Sequence, residues 1–240
     1  MHAKVLLAGL VPLSQVSAVP SEPVARKNFE DYGIEVLEWE IQAFESGPML
    51  TLNGTIEEVN SQVLEINPDF EFNEPSKSEL AALYDASAFE KRTDFSGSHY
   101  MCDTRDWTPC YLSRIKKGIS HLRGTSGRPK NGPGPGNCGR VSCAGRSAIW
   151  LCNDVSLPPF HLARLLDVLW MLIIGTEPSQ DRSTKELGAF GSIADDAQYI
   201  VDRCQPESGL KAKVAGQVFH KTNWNVIVRY DSDNCGWFDP

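Results

Sequence analysis

The sequence predicts an α+β fold: an antiparallel sheet with two helices packed on one face, in the order α-β-β-α-β-β, a sandwich stapled by disulfides. Three observations lead there. Two stretches, at residues 111–123 and 192–204, repeat apolar side chains at helical spacing. Each is followed by a pair of short β-rich runs. All 7 cysteines stand beyond residue 100 of the 240.

In chain order, Met1-His2-Ala3-Lys4 leads into an apolar run from Val5 to Leu13 and then the small residues Ser14-Gln15-Val16-Ser17-Ala18. That pattern predicts an export signal at 1–18, cut after Ala18, since Pro12 and the polar tail suit a core helix badly. Residues 19–92 hold 5 Lys/Arg against 16 Asp/Glu, a net charge of −11, whereas residues 93–240 hold 17 against 15, a net of +2. The formal charge of −8 for the whole chain averages two unlike parts. Lys91-Arg92 falls where acidity ends and cysteines begin, ahead of the polar Thr93-Asp94-Phe95-Ser96, and resembles a kexin-type dibasic cleavage site. The expected organisation is therefore a signal, an acidic pro-segment at 19–92 and a mature cysteine-rich domain at 93–240. Arg26-Lys27 is a second dibasic pair.

Inside the acidic part, residues 35–41 alternate charge with Leu37, Trp39 and Ile41, the period of a half-buried strand. Met49-Leu50-Thr51-Leu52 reads as a second strand, and residues 55–67 place Ile56, Val59, Val63 and Leu64 at helical spacing. The pro-segment thus reads as a small β-β-α unit able to assist folding or to mask the mature surface. Asn53-Gly54-Thr55 is the one Asn-X-Ser/Thr sequon, so Asn53 is either a glycan acceptor or a turn and cap residue.

In the mature part, Tyr111, Ile115, Ile119 and Leu122 line one face of the first helix, and Gly124 closes it. Residues 125–136 are rich in Gly and Pro and read as a loop. Two strands at 139–143 and 148–153 join through Ala144-Gly145-Arg146-Ser147. The second helix carries Ile193, Ala197, Ile200, Val201 and Cys204 on one face, with Ser192 as N-cap and Asp195 and Asp196 in the first turn. Runs at 213–219 and 224–230 complete the second α-β-β unit. Export licenses reading Cys102, Cys138, Cys143, Cys152, Cys204 and Cys235 as three bridges, with Cys110 the odd thiol. Six cysteines have fifteen pairings, and sequence alone leaves them open.

Residues 155–183 interrupt this pattern. Their apolar run contains Arg164 and Asp167 and is short for a bilayer span, so no transmembrane segment is expected. The stretch reads either as a buried extra helix or as translated intron, because Val155-Ser156 can be encoded by a splice-donor sequence.

Chemistry is sparse. Only 5 histidines occur, His2 goes with the signal, and Cys138 and Cys143 have no histidine nearby, so neither a metal site nor a cofactor is expected. No Gly-X-Ser-X-Gly elbow or phosphate-binding glycine loop is present. His99, His121 and His220, with Asp103, Asp106 or Asp154, are the candidates for acid/base catalysis if the fold gathers them. Between Asp106 and Asp154 there is no acidic residue. Arg114, Lys116, Lys117, Arg123, Arg128 and Lys130 fall in that interval and form a candidate face for an anionic lipid, polysaccharide or nucleic acid.

Residues 136–143 (Gly-Asn-Cys-Gly-Arg-Val-Ser-Cys), 147–154 (Ser-Ala-Ile-Trp-Leu-Cys-Asn-Asp), 193–198 (Ile-Ala-Asp-Asp-Ala-Gln) and 225–229 (Asn-Val-Ile-Val-Arg) resemble small secreted cysteine-rich fungal proteins of the killer-toxin-like and necrosis-inducing effector type. The resemblance spans about residues 101–235 without the insert and carries no catalytic residues. It implies an α/β sandwich and a role in host interaction or microbial antagonism. The expected function is a secreted effector or toxin-like binder of a host or competitor component, an extracellular protein, lipid or polysaccharide, with its own pro-segment as partner before cleavage. The second reading is a small secreted hydrolase or nuclease using histidine.

Overall fold

The computed structural model describes residues 29, 32–71, 97–102, 107–125, 127–153, 183–205, 209, 211–232 and 235. Ala18, Lys91, Arg92 and the insert up to residue 182 lie outside them. The acidic part supplies β1 (Gly33–Glu35), β2 (Glu38–Gln42), β3 (Met49–Asn53) and α1 (Ile56–Ile66). Next come β4 (Tyr100–Cys102), β5 (Cys110–Tyr111), α2 (Leu112–Gly124), β6 (Lys130–Pro133), β7 (Asn137–Ala144) and β8 (Ser147–Asn153). Beyond the insert follow β9 (Thr184–Glu186), α3 (Phe190–Cys204), β10 (Lys213–Val214), β11 (Gly216–His220) and β12 (Trp224–Tyr230).

The result is a mixed α+β protein around a six-stranded sheet of order β1-β7-β8-β12-β11-β4. The five strands from the cysteine-rich part pair antiparallel, β7 with β8 and β11 with β12 as hairpins and β12 with β8 and β11 with β4 across long connections. The sixth departs from the expected antiparallel sheet. β1 comes from the acidic part and pairs parallel with β7, Gly33 opposite Asn137 and Glu35 opposite Gly139.

Alternation along the strands separates two apolar layers. Ile149, Leu151, Val218, Val226 and Val228 share one core with the buried faces of all three helices. Ala148, Trp150, Cys152, Ile227 and Cys138 belong to a second cluster with Tyr32 and Trp107. The β7–β8 turn follows from Gly145 and Arg146, whose φ values of 52° and 61° give the backbone twist a two-residue hairpin needs.

Local expectations change at several points, among them Tyr111, which stands just before α2 at Leu112 and is 48% exposed in place of lining the helix's buried face. Residues 35–41 are not one strand: the chain breaks at Val36 and Leu37, so β1 joins the main sheet while β2 turns away to pair with β3. The Gly/Pro stretch is not wholly loop, because β6 pairs with β9 and Asn131 is buried, its amide donating to Asn137 O and Leu151 O at 2.8 Å each. Tertiary bonds override the breakers there, and Pro133 sits at a strand end where no ladder donor is missed. Residue 192 is not the N-cap of α3: the helix starts at Phe190 after Ala189, with no side-chain cap, and Asp195 and Asp196 fall beyond the first turn. Leu64 is 42% exposed, so α1 buries Ile56, Val59 and Val63 without it.

Candidate functional site

The densest set of polar and aromatic side chains lies where the acidic segment meets β7. Leu37 sits on Gly139: a Cβ there would come within 2.4 Å of the leucine side chain, so only glycine lets the segment close on the strand. Trp39, 1% exposed, stacks on Phe190 of α3 with ring centroids 4.1 Å apart and planes within 3°. Its indole nitrogen donates to Gly54 O at 2.7 Å, which ties β2 to the start of α1.

Thr55 caps α1 in a capping box, with Glu58 Oε2 receiving the Thr55 N–H at 2.7 Å. That cap aims the first turn at β7. Glu57, 8% exposed, accepts hydrogen bonds from Ser142 Oγ at 2.6 Å and Cys143 N at 2.9 Å. Beyond Gly139, β1 no longer covers β7, and the register slips between Arg140 and Ser142. A bulged, uncovered edge leaves donors without a ladder partner, and the Glu57 carboxyl supplies one. Glu35 does the same at the strand's start, accepting from Asn137 Nδ2 at 2.8 Å and from Gly132 N. On the opposite face of the sheet, Phe29 packs edge-on against Trp150 at 4.7 Å and the Arg229 guanidinium lies 4.3 Å over its ring. Tyr32 OH receives Gln217 Nε2 at 3.4 Å.

Three disulfides staple the remainder: Cys102–Cys204 joins β4 to α3, Cys138–Cys152 joins β7 to β8, and Cys143–Cys235 fastens the C-terminal end of the chain to β7. Their Cα separations are 5.2, 4.1 and 5.6 Å. Cys110 is the free thiol. Its Sγ lies 3.3 Å from Val214 O, and burial pushes its pKa up to about 12, so it is a packed side chain and not a nucleophile.

The six basic candidates do not form one face. Arg123 turns inward to Asp195 at 3.2 Å, its side chain 5% exposed. Arg128 and Lys130 both meet Glu186, at 2.9 and 3.7 Å, across the β6–β9 pair. On α2, Lys116 is exposed, and Arg114 and Lys117 are half-buried. The described salt bridges all fall within the cysteine-rich part, so the segment's carboxyl groups seen at the boundary meet neutral donors and not these cations.

The histidines are also dispersed. His99 is exposed beside β11, stacked on Phe219 at 5.7 Å. His220, 8% exposed, ends β11 with Nδ1 2.9 Å from Thr222 Oγ1 and its ring on Trp224 at 4.8 Å. His121 sits in the last turn of α2. Asp103, Asp106 and Asp154 lie outside the described residues. No group of three or more His, Cys, Asp or Glu suited to a metal occurs among the described residues. Asn53 is exposed at the end of β3, open to a glycan, while the cap role goes to Thr55.

Sequence reasoning missed Glu35, Glu57 and the stacking partner of Trp39. The Thr55-x-x-Glu58 box was a readable signal for the start of α1. Nothing local announces that Glu57 meets Ser142, 85 residues on. No family model, curated protein or solved structure matches the chain.

Proposed function

We propose that this chain is a secreted cysteine-rich effector or toxin-like protein that acts outside the cell by binding a component of a host or competitor. The cysteine-rich part works as a rigid α-β-β-α-β-β sandwich made from a precursor with a signal at 1–18 and a pro-segment at 19–92. The observation that carries the reading is the set of three disulfides linking β4, β7, β8, α3 and Cys235, because such bridges persist in oxidising compartments and are rare in the cytosol. Among the described residues no helix is long and apolar enough to cross a membrane. The exposed Lys116 and its neighbour Lys117 give α2 the surface from which to meet an anionic partner.

Protein purified from a culture supernatant, infiltrated into plant tissue and added to competing microbes, tests this. Tissue death or growth arrest is expected, abolished by prior reduction and weakened by Lys116→Glu with Lys117→Glu. Activity that survives that pair of changes but disappears in a His99→Ala, His121→Ala, His220→Ala variant transfers the assignment to a secreted hydrolase. No effect in either assay removes the effector reading.

A further inference from the structure

We infer that residues 32–71 are a permanent noncovalent subunit of the cysteine-rich domain, so that a cut anywhere between residues 71 and 97 yields a two-chain protein instead of a freed domain. The segment grips the sheet from three sides. β1 extends the sheet edge, hydrogen-bonded along β7. On the helix face, Leu37, Trp39, Ile56, Val59 and Val63 belong to the same buried cluster as Val141, Ile149 and Phe190. On the other face, Tyr32 is part of the cluster around Trp150, with Phe29 packed against it.

The cysteine-rich side is shaped for this occupant. Gly139 makes room for Leu37, Phe190 gives Trp39 a flat ring, and Ser142 Oγ with Cys143 N gives the Glu57 carboxyl two donors. Removing the segment would leave those donors and the open edge of β7 unpartnered and would expose an apolar surface, each of which opposes release. No cysteine lies before residue 100, so no disulfide can hold the segment. Among the described residues, retention rests on packing and on these hydrogen bonds. The inference is independent of which target the protein binds.

The test uses the full chain carrying a specific protease site inserted after Arg92, cut to completion under native, non-reducing conditions. Size-exclusion chromatography with native mass spectrometry is expected to show one species of both pieces, which separates in denaturant without any reductant. Recovery of a free domain and a free segment in native buffer overturns the inference. Trp39→Ala and Glu57→Ala, each checked before cutting for the same three disulfides, are expected to raise the segment's dissociation rate roughly tenfold or more. Equal retention in both variants would show that the described contacts do not hold the segment.

Discussion

The two sides of β7 are held by different means. Toward β8, Cys138–Cys152 crosses directly between strands and Cys143–Cys235 pins the C-terminal end of the chain. Toward β1 and α1 there is no disulfide; among the described residues that side is held by the β1–β7 ladder, Leu37 on Gly139, the Trp39–Phe190 stack and two carboxyl groups on backbone, amide and hydroxyl donors. The charge boundary at residue 92 marks a change of composition, and the core runs across it. An acidic, cysteine-free stretch reads as a removable leader, whereas its apolar positions are spent inside the same core as the domain it precedes.

The comparison breaks most sharply at Trp39. Replacing it with alanine removes a fully buried ring and its hydrogen bond, a change that typically costs about 3–5 kcal/mol. If the two sides form one cooperative unit, the whole unfolding transition moves to lower denaturant; a lost early phase with the main transition unmoved would show that the segment unfolds by itself. On the stapled side, Cys102→Ala with Cys204→Ala opens a link across 102 residues and is expected to cost about 2–5 kcal/mol, read in the same denaturant titration. Retention of wild-type stability would mean that burial of α3 already fixes that edge of the sheet.

What was legible differs between the two sides for a physical reason. The α2, β7, β8, α3, β11 and β12 elements announce themselves by local periodicity, and Ala144-Gly145-Arg146-Ser147 by turn chemistry. β1 and β6 do not, because three or four residues carry too little pattern and their pairing is chosen by a distant partner: Gly33 by Asn137, and Lys130 by Glu186. The basic stretch misled for a similar reason. Its charges are close in sequence, but Arg123 was taken up by α3 and Arg128 and Lys130 by β9, leaving Lys116 and Lys117 on the helix surface.

A finer difference lies in α3, where Asp195 and Asp196 stand side by side and fare oppositely. Asp195 pairs with Arg123, whereas Asp196 is fully buried and neither of its carboxyl oxygens has a hydrogen-bond partner among the described residues. Burial, and to a lesser degree the neighbouring Asp195 charge, hold its pKa well above the usual carboxylate value. A folded-state pKa above the unfolded one means that the unfolded chain releases its proton first as pH rises, so stability falls from about pH 4 upward. Asp196→Asn should flatten that slope. Relative to the native chain, its unfolding midpoint should rise with pH and the gap should close on acidification; parallel pH profiles for the two proteins would mean that Asp196 gains a partner in solution.

The smallest effect is expected from the insert, and it asks whether the stapled side is complete without residues 155–182. Its described ends already meet: the Asn153 amide, 1% exposed, donates to Ser183 O at 2.7 Å and to Gly132 O at 2.8 Å. β9 then runs directly onto β6, so the chain resumes its fold beside the point where it left. A three-residue Gly-Ser-Gly bridge in place of 155–182 can therefore span the gap. For a segment that makes no core contact, replacing 28 residues by three lowers the closure cost by roughly 1–2 kcal/mol, so such a deletion leaves the unfolding midpoint unchanged or slightly raised. The same three disulfides should form, as peptide mapping without reduction will show. A deletion that mispairs cysteines or lowers the midpoint makes the insert part of the folded protein, and with it the reading of these residues as translated intron fails.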